Sequence, residues 1–359
     1  MPQALVLGSP IGHSLSPVLH RAAYASLGLT DWTYAACQLD EAAFPAFVAG
    51  LGADVRGLSL TMPLKEVAFT VASSVSDRAR LAAAINTLLR RDDGGWDADN
   101  TDIAGIVATL GLAARRRDEA EAPGQEKRVS GARRRDEAEA PGQETRPSVA
   151  ERRSRRDCPS ASASPRHSPD CSPFDPKGDE LLRPAESPSG LILGAGATAR
   201  SALIALRELG CHRVAVCARS PEKAWASLGE LAGGLDVELT VRDLAGWPGV
   251  AAGLVVSTLP GAGALGAAEV LRGSGTGPGC VRGCGPGGGG VVLDVVYAGW
   301  PTPLARAAEA VGAEVVSGLD MLVHQAVEQV QLMTGFRPDA GVLLKEGWAE
   351  LSRRAALGD

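Results

Sequence analysis

The chain has 359 residues, which is enough for two domains that each bury a core of their own. Hydrophobic residues make up 45% of the sequence and charged residues 22%, a balance typical of globular proteins, and the net charge of −6 argues against a nucleic-acid partner. No uncharged apolar run reaches the roughly 18 residues that a membrane span needs, so the sequence predicts no membrane association.

The N-terminus and the cysteines both favour a cytoplasmic location. Met1 to Gly8 lacks the basic start and the small-residue cleavage site of a signal peptide, and its pattern predicts a strand instead. The seven cysteines show neither the spacing of a disulfide framework nor that of a zinc site. We therefore expect reduced thiols and no metal.

Residues 1–112 alternate between strand and helix patterns. Leu5 to Leu7 is a short apolar strand, and Ser16-Pro17 opens a helix, because Ser is a good N-cap and Pro suits the first helical position. Another strand is predicted from Val55 to Leu60, and the stretch from Leu81 to Leu89 passes from helix into strand.

Residues 113–189 differ in kind. The letters ARRRDEAEAPGQE occur at 114–126 and again, unchanged, at 132–144, which indicates a tandem duplication. This stretch and the Ser/Pro-rich sequence after it hold too few large apolar residues to offset the entropy of ordering, so we predict a disordered insertion with at most isolated helical turns. The alternative is that its Arg-rich blocks recruit a partner, although Asp and Glu follow each block.

Residues 190–318 form a series in which strands alternate with helices, the pattern of a parallel, doubly wound sheet. Its strands are predicted at 191–193, 213–217, 254–256 and 291–296, with a helix at 200–210. The glycine-rich run from Gly273 to Gly290 is predicted to be a loop, and residues 319–349 are predicted to be helical.

A glycine-rich turn directly follows the first of these strands. Gly194, Gly196 and Ala199 hold the three small-residue positions of a dinucleotide fingerprint, which permit the turn, the approach of a pyrophosphate and close helix–strand packing. The next helix would point its N–H groups at the phosphates. The residues predicted to contact the cofactor here are Gly194, Ala195, Gly196, Ala197 and Thr198. The alternative is a tight glycine turn that binds no ligand.

The end of the second strand of this series indicates which nucleotide is bound. An NAD site usually holds an Asp or Glu there, on the ribose 2′-hydroxyl. This chain has Ala218-Arg219-Ser220 instead, and Arg219 is suited to a bidentate grip on a 2′-phosphate, with Lys223 adding charge. The sequence therefore predicts NADP, unless Arg219 is only a solvent-facing loop residue.

Several further motifs resemble those of shikimate dehydrogenases and follow the order of that family. They are GSPIGHSLSPVLH at 8–20, GLSLTMPLK at 57–65, INT at 85–87, DNTDIAG at 99–105, GAGATAR at 194–200, DVVY at 294–297 with TPL at 302–304, and GLDMLVHQA at 318–326. The resemblance runs to about residue 335 and skips 113–189 and 273–290. It implies an α/β fold of two domains around a cleft, and the reversible reduction of 3-dehydroshikimate to shikimate with NADPH, a step toward aromatic amino acids.

The resemblance also assigns roles to single residues. Lys65 and Asp102 would be the catalytic pair at the reacting end of the substrate. Asp77, Val295 and Gly318 would contact the nicotinamide side of the cofactor. The substrate would be bound by Ser14, Ser16, Thr61, Lys65, Asn86, Asp102, Tyr297 and Gln325.

The chemistry suits these residue types apart from any resemblance. When hydride reaches a ketone carbon, negative charge builds on the oxygen, and a nearby ammonium stabilises that charge and delivers the proton. Lys65 fits this role, and Asp102 would hold it in place. Taken singly, each residue also has a structural explanation: a serine as a helix cap, Lys65 as a solvated charge, and the Asn-Thr pairs as turn residues.

The chain departs from the family at four places. Ser59 stands where Asn is usual, which puts a contact to a substrate hydroxyl, and with it the substrate preference, in question. The other three departures are Arg21 for Asn, Ser257-Thr258-Leu259-Pro260 for Asn-Ala-Thr-Pro, and Gly299 for Pro. A quinate/shikimate or aminoshikimate dehydrogenase and a catalytically silent nucleotide-binding regulator of the same fold are therefore alternatives.

We place a substrate-binding domain at 1–105, completed by the helices of 319–359. A Rossmann-like NADP-binding domain would occupy 106–318, interrupted by the insertion at 113–189. A monomer or a homodimer is expected, with small molecules as its partners.

Overall fold

The computed structural model describes residues 1–121, 189–274 and 290–357. These residues belong to one structural unit, Met1–Ala122 together with Arg183–Asp359. The disorder predicted for the insertion falls on residues 122–188, which lie outside the described residues, and most of the glycine-rich loop, at 275–289, lies outside them as well.

Strands and helices alternate through much of the described chain. The strands are β1 Gln3–Gly8, β2 Thr33–Gln38, β3 Val55–Leu60, β4 Ser74–Val75, β5 Thr87–Arg90, β6 Trp96–Asp99, β7 Ser189–Leu193, β8 Arg213–Ala218, β9 Glu238–Asp243, β10 Leu254–Ser257, β11 Val291–Asp294 and β12 Glu314–Ser317. The helices are α1 Ser16–Ser26, α2 Phe44–Ala49, α3 Leu64–Val67, α4 Asp77–Ala82, α5 Thr101–Glu121, α6 Ala197–Glu208, α7 Pro221–Gly234, α8 Gly261–Gly273, α9 Pro303–Ala310, α10 Gly318–Thr334 and α11 Ala340–Leu357.

The first sheet has the strand order β2-β1-β3-β5-β6-β4 and is mixed. β1 runs parallel to β2 and β3, whereas β5 runs antiparallel to both β3 and β6. Because β5 is reversed, its first residue lies at the edge where β1, β3 and β6 end. The register pairs Ser59 with Thr87 and Thr87 with Asp99, so the segments that follow β3 and β6 meet the segment that precedes β5.

The second sheet is parallel throughout and has the order β12-β11-β10-β7-β8-β9. The chain fills one side from β7 to β9 and then returns to add β10, β11 and β12 on the other side of β7. This reversal next to β7 is the switch point at which doubly wound folds bind ligands, outside the carboxyl ends of the strands. The predicted α/β class and the parallel, doubly wound sheet are confirmed.

Apolar side chains from both sheets and from the helices packed on them form the core. One cluster joins Ile103, Ile106 and Leu110 of α5 to Leu203 of α6. Another joins Leu15 and Leu19 to residues of α10 and α11, among them Leu319, Val330 and Leu343. The C-terminal helices therefore pack against the N-terminal segment, while the boundaries of the two domains stay a prediction.

Three local predictions differ from the structure. Ser16 is the first residue of α1 and not its N-cap, which is Leu15. Helix α5 continues to Glu121 instead of ending near residue 112, because Ala, Arg and Glu are good helix formers and extend a helix that is already nucleated. The helical stretch predicted at 319–349 is two helices, since Gly335 adopts a positive φ of 79° and closes α10.

Candidate active site

Lys65 and Asp102 form an ion pair at the shared edge of the first sheet. Lys65 lies in the short helix α3 that follows β3, and Asp102 lies in the first turn of α5 after β6. The Lys65 Nζ is 2.5 Å from the Asp102 Oδ2, and the two side chains are 16% and 4% exposed. Lys65 is therefore not a solvated surface charge.

Asn86 fixes the orientation of the Asp102 carboxylate. Its Nδ2 donates to the Asp102 Oδ1 at 2.7 Å, so both carboxylate oxygens are hydrogen-bonded. Its Oδ1 accepts from the Thr101 backbone N–H at 2.8 Å and from the Thr87 hydroxyl at 2.9 Å. With both ends of the amide bonded, Asn86 is not a plain turn residue: it ties the start of β5 to the start of α5.

A buried hydrogen-bond network continues from Thr87 into the core. The Gln329 Nε2 donates to the Thr87 Oγ1 at 2.9 Å and to the Asn86 carbonyl at 3.3 Å. The Gln329 Oε1 accepts from the Ser59 hydroxyl at 2.9 Å, and the Ser59 Oγ accepts from the Tyr34 hydroxyl at 2.7 Å. These contacts link three strands and α10 beneath the ion pair.

The Ser59 hydroxyl is held inside this network. Its side chain is 3% exposed, and its hydroxyl is engaged with Tyr34 and Gln329. Sequence reasoning also missed Gln329. The available signal was its spacing, four residues after Gln325, which puts both amides on one face of α10.

Ser14, Ser16 and Tyr297 form a second group, at the start of α1. The Ser14 Oγ accepts from the Ser16 backbone N–H at 3.3 Å, so Ser14 satisfies the first backbone N–H of α1. Burial raises the pKa of the Tyr297 hydroxyl, while a hydrogen bond from the Leu15 backbone N–H and the charge of Arg354 act in the opposite direction. Tyr297 thus lies beside the segment that carries both serines.

Burial and hydrogen bonds connect this second group to the network. Burial raises the pKa of Tyr34, and hydrogen bonds with the Ser59 and Ser16 hydroxyls oppose the rise. His20 is fully buried against Tyr34, with ring centroids 3.9 Å apart, and burial lowers its pKa to about 3. Within the described residues neither ring nitrogen of His20 has a hydrogen-bond partner.

The remaining predicted substrate residues lie at the same edge. Thr61 is half-buried directly after β3, and its backbone N–H donates to the Leu7 carbonyl at 3.0 Å. Gln325 lies on α10 beside Gly105, which is three residues after Asp102 on α5. The structure therefore brings polar groups from β1, β3, β5, β6 and α10 to one end of the first sheet.

The glycine turn after β7 has the features that a dinucleotide phosphate requires. Gly194 has a φ of +111°, and a Cβ there would overlap the Thr258 hydroxyl, so glycine is required. A Cβ at Gly196 would meet no protein atom within 4 Å, and Gly196 is the N-cap of α6 without a side-chain cap. The turn therefore leaves open space at a helix N-terminus, where an anion is stabilised.

The end of β8 carries exposed positive charge. Arg219 and Lys223 are both exposed. Asp243 pairs with Ala218 across the neighbouring strand, but its carboxylate accepts from the Ala245 backbone N–H at 2.8 Å. Asp243 is thus engaged in its own turn, and exposed Arg219 at the end of β8 fits a 2′-phosphate better than a free ribose hydroxyl.

Two of the three residues predicted at the nicotinamide side meet in the structure. A Cβ on Gly318 would overlap the carbonyl group of Val295, so only glycine allows the start of α10 to approach the segment after β11 this closely. Asp77 is exposed at the start of α4, and within the described residues no hydrogen bond or ion pair to Val295 or Gly318 is formed by its side chain. The role of Asp77 stays a prediction.

Helix α6 is also bonded to the segments that carry the ion pair. The Arg200 guanidinium donates to the Ala82 carbonyl at 2.7 Å, and the Asn100 Nδ2 donates to the Ser201 Oγ at 3.2 Å and to the Ala84 carbonyl at 2.8 Å. The Asn100 Oδ1 accepts from the Asp102 backbone N–H at 3.1 Å. The cofactor turn and the catalytic candidates are therefore tied together within one structural unit.

Residues 1–121, 189–274 and 290–357 contain neither a candidate metal site nor a membrane-spanning helix. Across those ranges no group of three or more His, Cys, Asp or Glu side chains is placed to hold a metal ion. Nor does any helix there combine the length and the apolar character needed to cross a membrane. The cysteines in these ranges, Cys37, Cys211 and Cys217, are not joined in disulfides.

Comparison with known proteins gives consistent matches. Residues 6–88 match the model of the shikimate dehydrogenase substrate binding domain, and residues 318–346 match that of the shikimate 5′-dehydrogenase C-terminal domain. A shikimate dehydrogenase (NADP(+)) of Caulobacter vibrioides is 31% identical over 336 residues, which cover 93% of this chain and 90% of the relative.

Solved structures agree with these matches. The crystal structure of Mycobacterium tuberculosis shikimate dehydrogenase is 32% identical, with a TM-score of 0.66, and the match covers 97% of this chain and 100% of that chain. A Thermus thermophilus shikimate 5-dehydrogenase in complex with NADP(H) and shikimate is 25% identical, with a TM-score of 0.64 and coverage of 97% and 99%.

Proposed function

This chain belongs to the shikimate dehydrogenase family, and on that premise we propose that it catalyses the reversible NADPH-dependent reduction of 3-dehydroshikimate to shikimate. The observation that carries the proposal is the Lys65–Asp102 ion pair at a polar sheet edge, tied to a dinucleotide turn. NADP is the cofactor, and the chain is an oxidoreductase of the route to aromatic amino acids.

Reduction of the ketone adds a hydride to the carbonyl carbon and a proton to its oxygen. NADPH supplies the hydride when it is bound. The Lys65 Nζ is the proton donor, and its charge stabilises the developing negative charge on oxygen. Asp102 holds the Nζ in position, and Asn86 holds Asp102. In the reverse direction Lys65 accepts the proton of the alcohol.

The rest of the site would orient a small polyhydroxylated acid. Ser14, Ser16 and Tyr297 would bind its carboxylate, and Thr61, Asn86 and Gln325 its hydroxyls. A set of short, fixed polar groups rejects an analogue that lacks a hydroxyl, because the protein's own groups would then be left unpaired. On the cofactor side, the turn at 194–198 would hold the pyrophosphate, Arg219 the 2′-phosphate, and Val295, Gly318 and Asp77 the nicotinamide end.

Substrate and cofactor preference are tested together. The purified full chain is assayed with shikimate and with quinate, each with NADP and with NAD. We expect the highest kcat/KM for shikimate with NADP. Activity confined to quinate with NAD would contradict the proposal. A comparable rate with quinate would support a quinate/shikimate dehydrogenase, and binding of NADP with no turnover of either acid would support a silent regulator.

The role of Lys65 is tested by Lys65→Met, which keeps the apolar stem and removes the ammonium. Loss of a positioned proton donor should lower kcat by roughly 100- to 10,000-fold, with a much smaller change in KM. Lys345→Met is the matched control, because Lys345 is exposed on α11. A Lys65→Met variant with unchanged kcat would remove Lys65 from the mechanism.

We also propose a cytoplasmic monomer or homodimer whose partners are its substrate and cofactor. Sedimentation velocity of the full chain, with and without NADP, measures the oligomeric state. A trimer or larger assembly would contradict this part of the proposal.

A further inference from the structure

An arginine on the last helix reaches the segment that begins the proposed substrate site. The Arg354 Nη1 donates to the His13 carbonyl at 2.9 Å, and the Nη2 lies 3.5 Å from the Ser14 carbonyl. The Nε donates to the Glu350 Oε1 at 2.8 Å, one turn back along α11. The Arg354 guanidinium thus joins α11 to the loop that carries Ser14, although the two segments are more than three hundred positions apart in the sequence.

The arginine is well fixed at this place. Its side chain is 20% exposed. Hydrogen bonds from Arg353 and Arg354 hold the pKa of Glu350 at about 2, so Glu350 is ionised across the neutral pH range. The apolar face of α11, with Leu343 and Leu351, packs in the same cluster as Leu15, so helix and loop are anchored to each other.

The charge of Arg354 also acts on the second group of polar side chains, Ser14, Ser16 and Tyr297. It opposes the rise in the pKa that burial gives the Tyr297 hydroxyl. Ser14, Ser16 and Tyr297 offer only neutral hydrogen-bond donors, and a carboxylate gains more from a site that also has a positive potential.

We propose that Arg354 is a positioning residue for the anionic end of the substrate: it fixes the Ser14 loop and gives the carboxylate site a positive potential. This inference rests on the proposed function, because it takes Ser14 and Ser16 to be carboxylate contacts. It assigns to α11 a part in substrate specificity that lies outside the motifs found in the sequence.

The experiment compares shikimate with its uncharged methyl ester, using the full chain and saturating NADP. For Arg354→Ala we expect KM for shikimate to rise about 10- to 30-fold, because the Ser14 loop is released and the positive potential at the carboxylate is lost, with kcat changed less than about threefold. KM for the ester should change much less, so that discrimination against the ester shrinks. KM for NADP should not change.

Arg353→Ala is the matched control. It removes an equal charge from the neighbouring position, and Arg353 binds the same Glu350 but is 58% exposed. It should leave both KM values within about twofold of wild type. Arg354→Lys keeps a charge but not the forked contact with two carbonyls, so it should fall between wild type and Arg354→Ala. This milder variant also serves if Arg354→Ala does not fold.

Two outcomes would overturn the inference. One is an unchanged KM for shikimate in Arg354→Ala. The other is an equal loss for shikimate and for the ester, which a general loosening of the fold would produce. Both are distinct from failure of the proposed function, in which the wild-type enzyme itself would not turn over shikimate.

Discussion

Gln329 offers the sharpest test of how the buried network supports the ion pair. Gln329→Leu keeps the size of the side chain and removes its hydrogen bonds to Ser59, Thr87 and the Asn86 carbonyl. Gln329 is 1% exposed, so water does not replace these partners. The lost bonds to Thr87 and to the Asn86 carbonyl cost about 1 kcal/mol each, and the unsatisfied Ser59 hydroxyl costs about 1–3, which gives a loss of roughly 3–5 kcal/mol in the free energy of unfolding.

Activity should change for a separate reason. Thr87 and Asn86 both lose a partner, and Asn86 orients the Asp102 carboxylate that holds Lys65. A shift near 1 Å in a catalytic group costs up to about 100-fold in rate, so we expect kcat to fall by roughly 3- to 100-fold. KM for NADP should not change, because Gln329 is bonded to the first sheet.

The assay is urea denaturation followed by tryptophan fluorescence, together with steady-state kinetics. Gln331→Leu is the control, since it makes the same substitution on the exposed side of α10. In Ser59→Ala/Gln329→Leu both partners of one hydrogen bond are replaced, so the double variant should be more stable than the sum of the single losses by about 1–2 kcal/mol. The reasoning is refuted if Gln329→Leu matches Gln331→Leu in stability and kcat, or if the two losses are additive.

Further predictions concern the cofactor site and pH. Gly196→Ala should leave the melting temperature unchanged and raise KM for NADP at least about tenfold, because its methyl fills only space for the pyrophosphate. Gly318→Ala, in contrast, should lower the free energy of unfolding by about 1–3 kcal/mol, because the added methyl overlaps Val295. Equal stability of Gly196→Ala and Gly318→Ala would contradict this prediction. Arg219→Ala should raise KM for NADP about 10- to 100-fold and leave KM for NAD unchanged, whereas parallel changes would exclude a 2′-phosphate contact. Burial lowers the pKa of His20 from 6.5 to about 3, so His20 is neutral in the fold, and the unfolded chain takes up a proton more readily as the pH falls below 6.5. Between pH 6.5 and 5 the free energy of unfolding of the wild type should therefore fall by about 2 kcal/mol more than that of His20→Phe. Identical acid profiles of the two proteins would refute this prediction.

The local pattern of the chain was sufficient for part of the fold. Apolar runs predicted β1, β3, β7, β8, β10 and β11, and the turn at Gly194 was predicted because its glycine pattern is local in the sequence. The edge strands β2 and β9 were not predicted. Their exposed and half-buried positions interrupt the apolar run that marks a strand in the sequence.

The candidate site was predictable to a different degree. Lys65, Asp102 and Asn86 were predicted because each stands in a recognisable motif, and the structure brings them together. Ser59 and Gln329 are 270 positions apart, and no local pattern indicates that their side chains meet. Arg354 stands in no motif, and its contact with the Ser14 loop depends on how α11 packs.

The position of Ser59 changes the argument about substrate preference. As a departure from the family it suggested an altered contact with a substrate hydroxyl, but its hydroxyl is held between Tyr34 and Gln329. On the proposed assignment, substrate preference would then depend on Thr61, Asn86 and Gln325 at the sheet edge. Ser59→Asn should not introduce a substrate contact. It would overfill a site that is 3% exposed and lower the free energy of unfolding by about 1–3 kcal/mol, with the ratio of kcat/KM for shikimate and quinate unchanged. If Ser59→Asn kept its stability but changed the ratio of kcat/KM for shikimate and quinate, position 59 would contact the substrate after all.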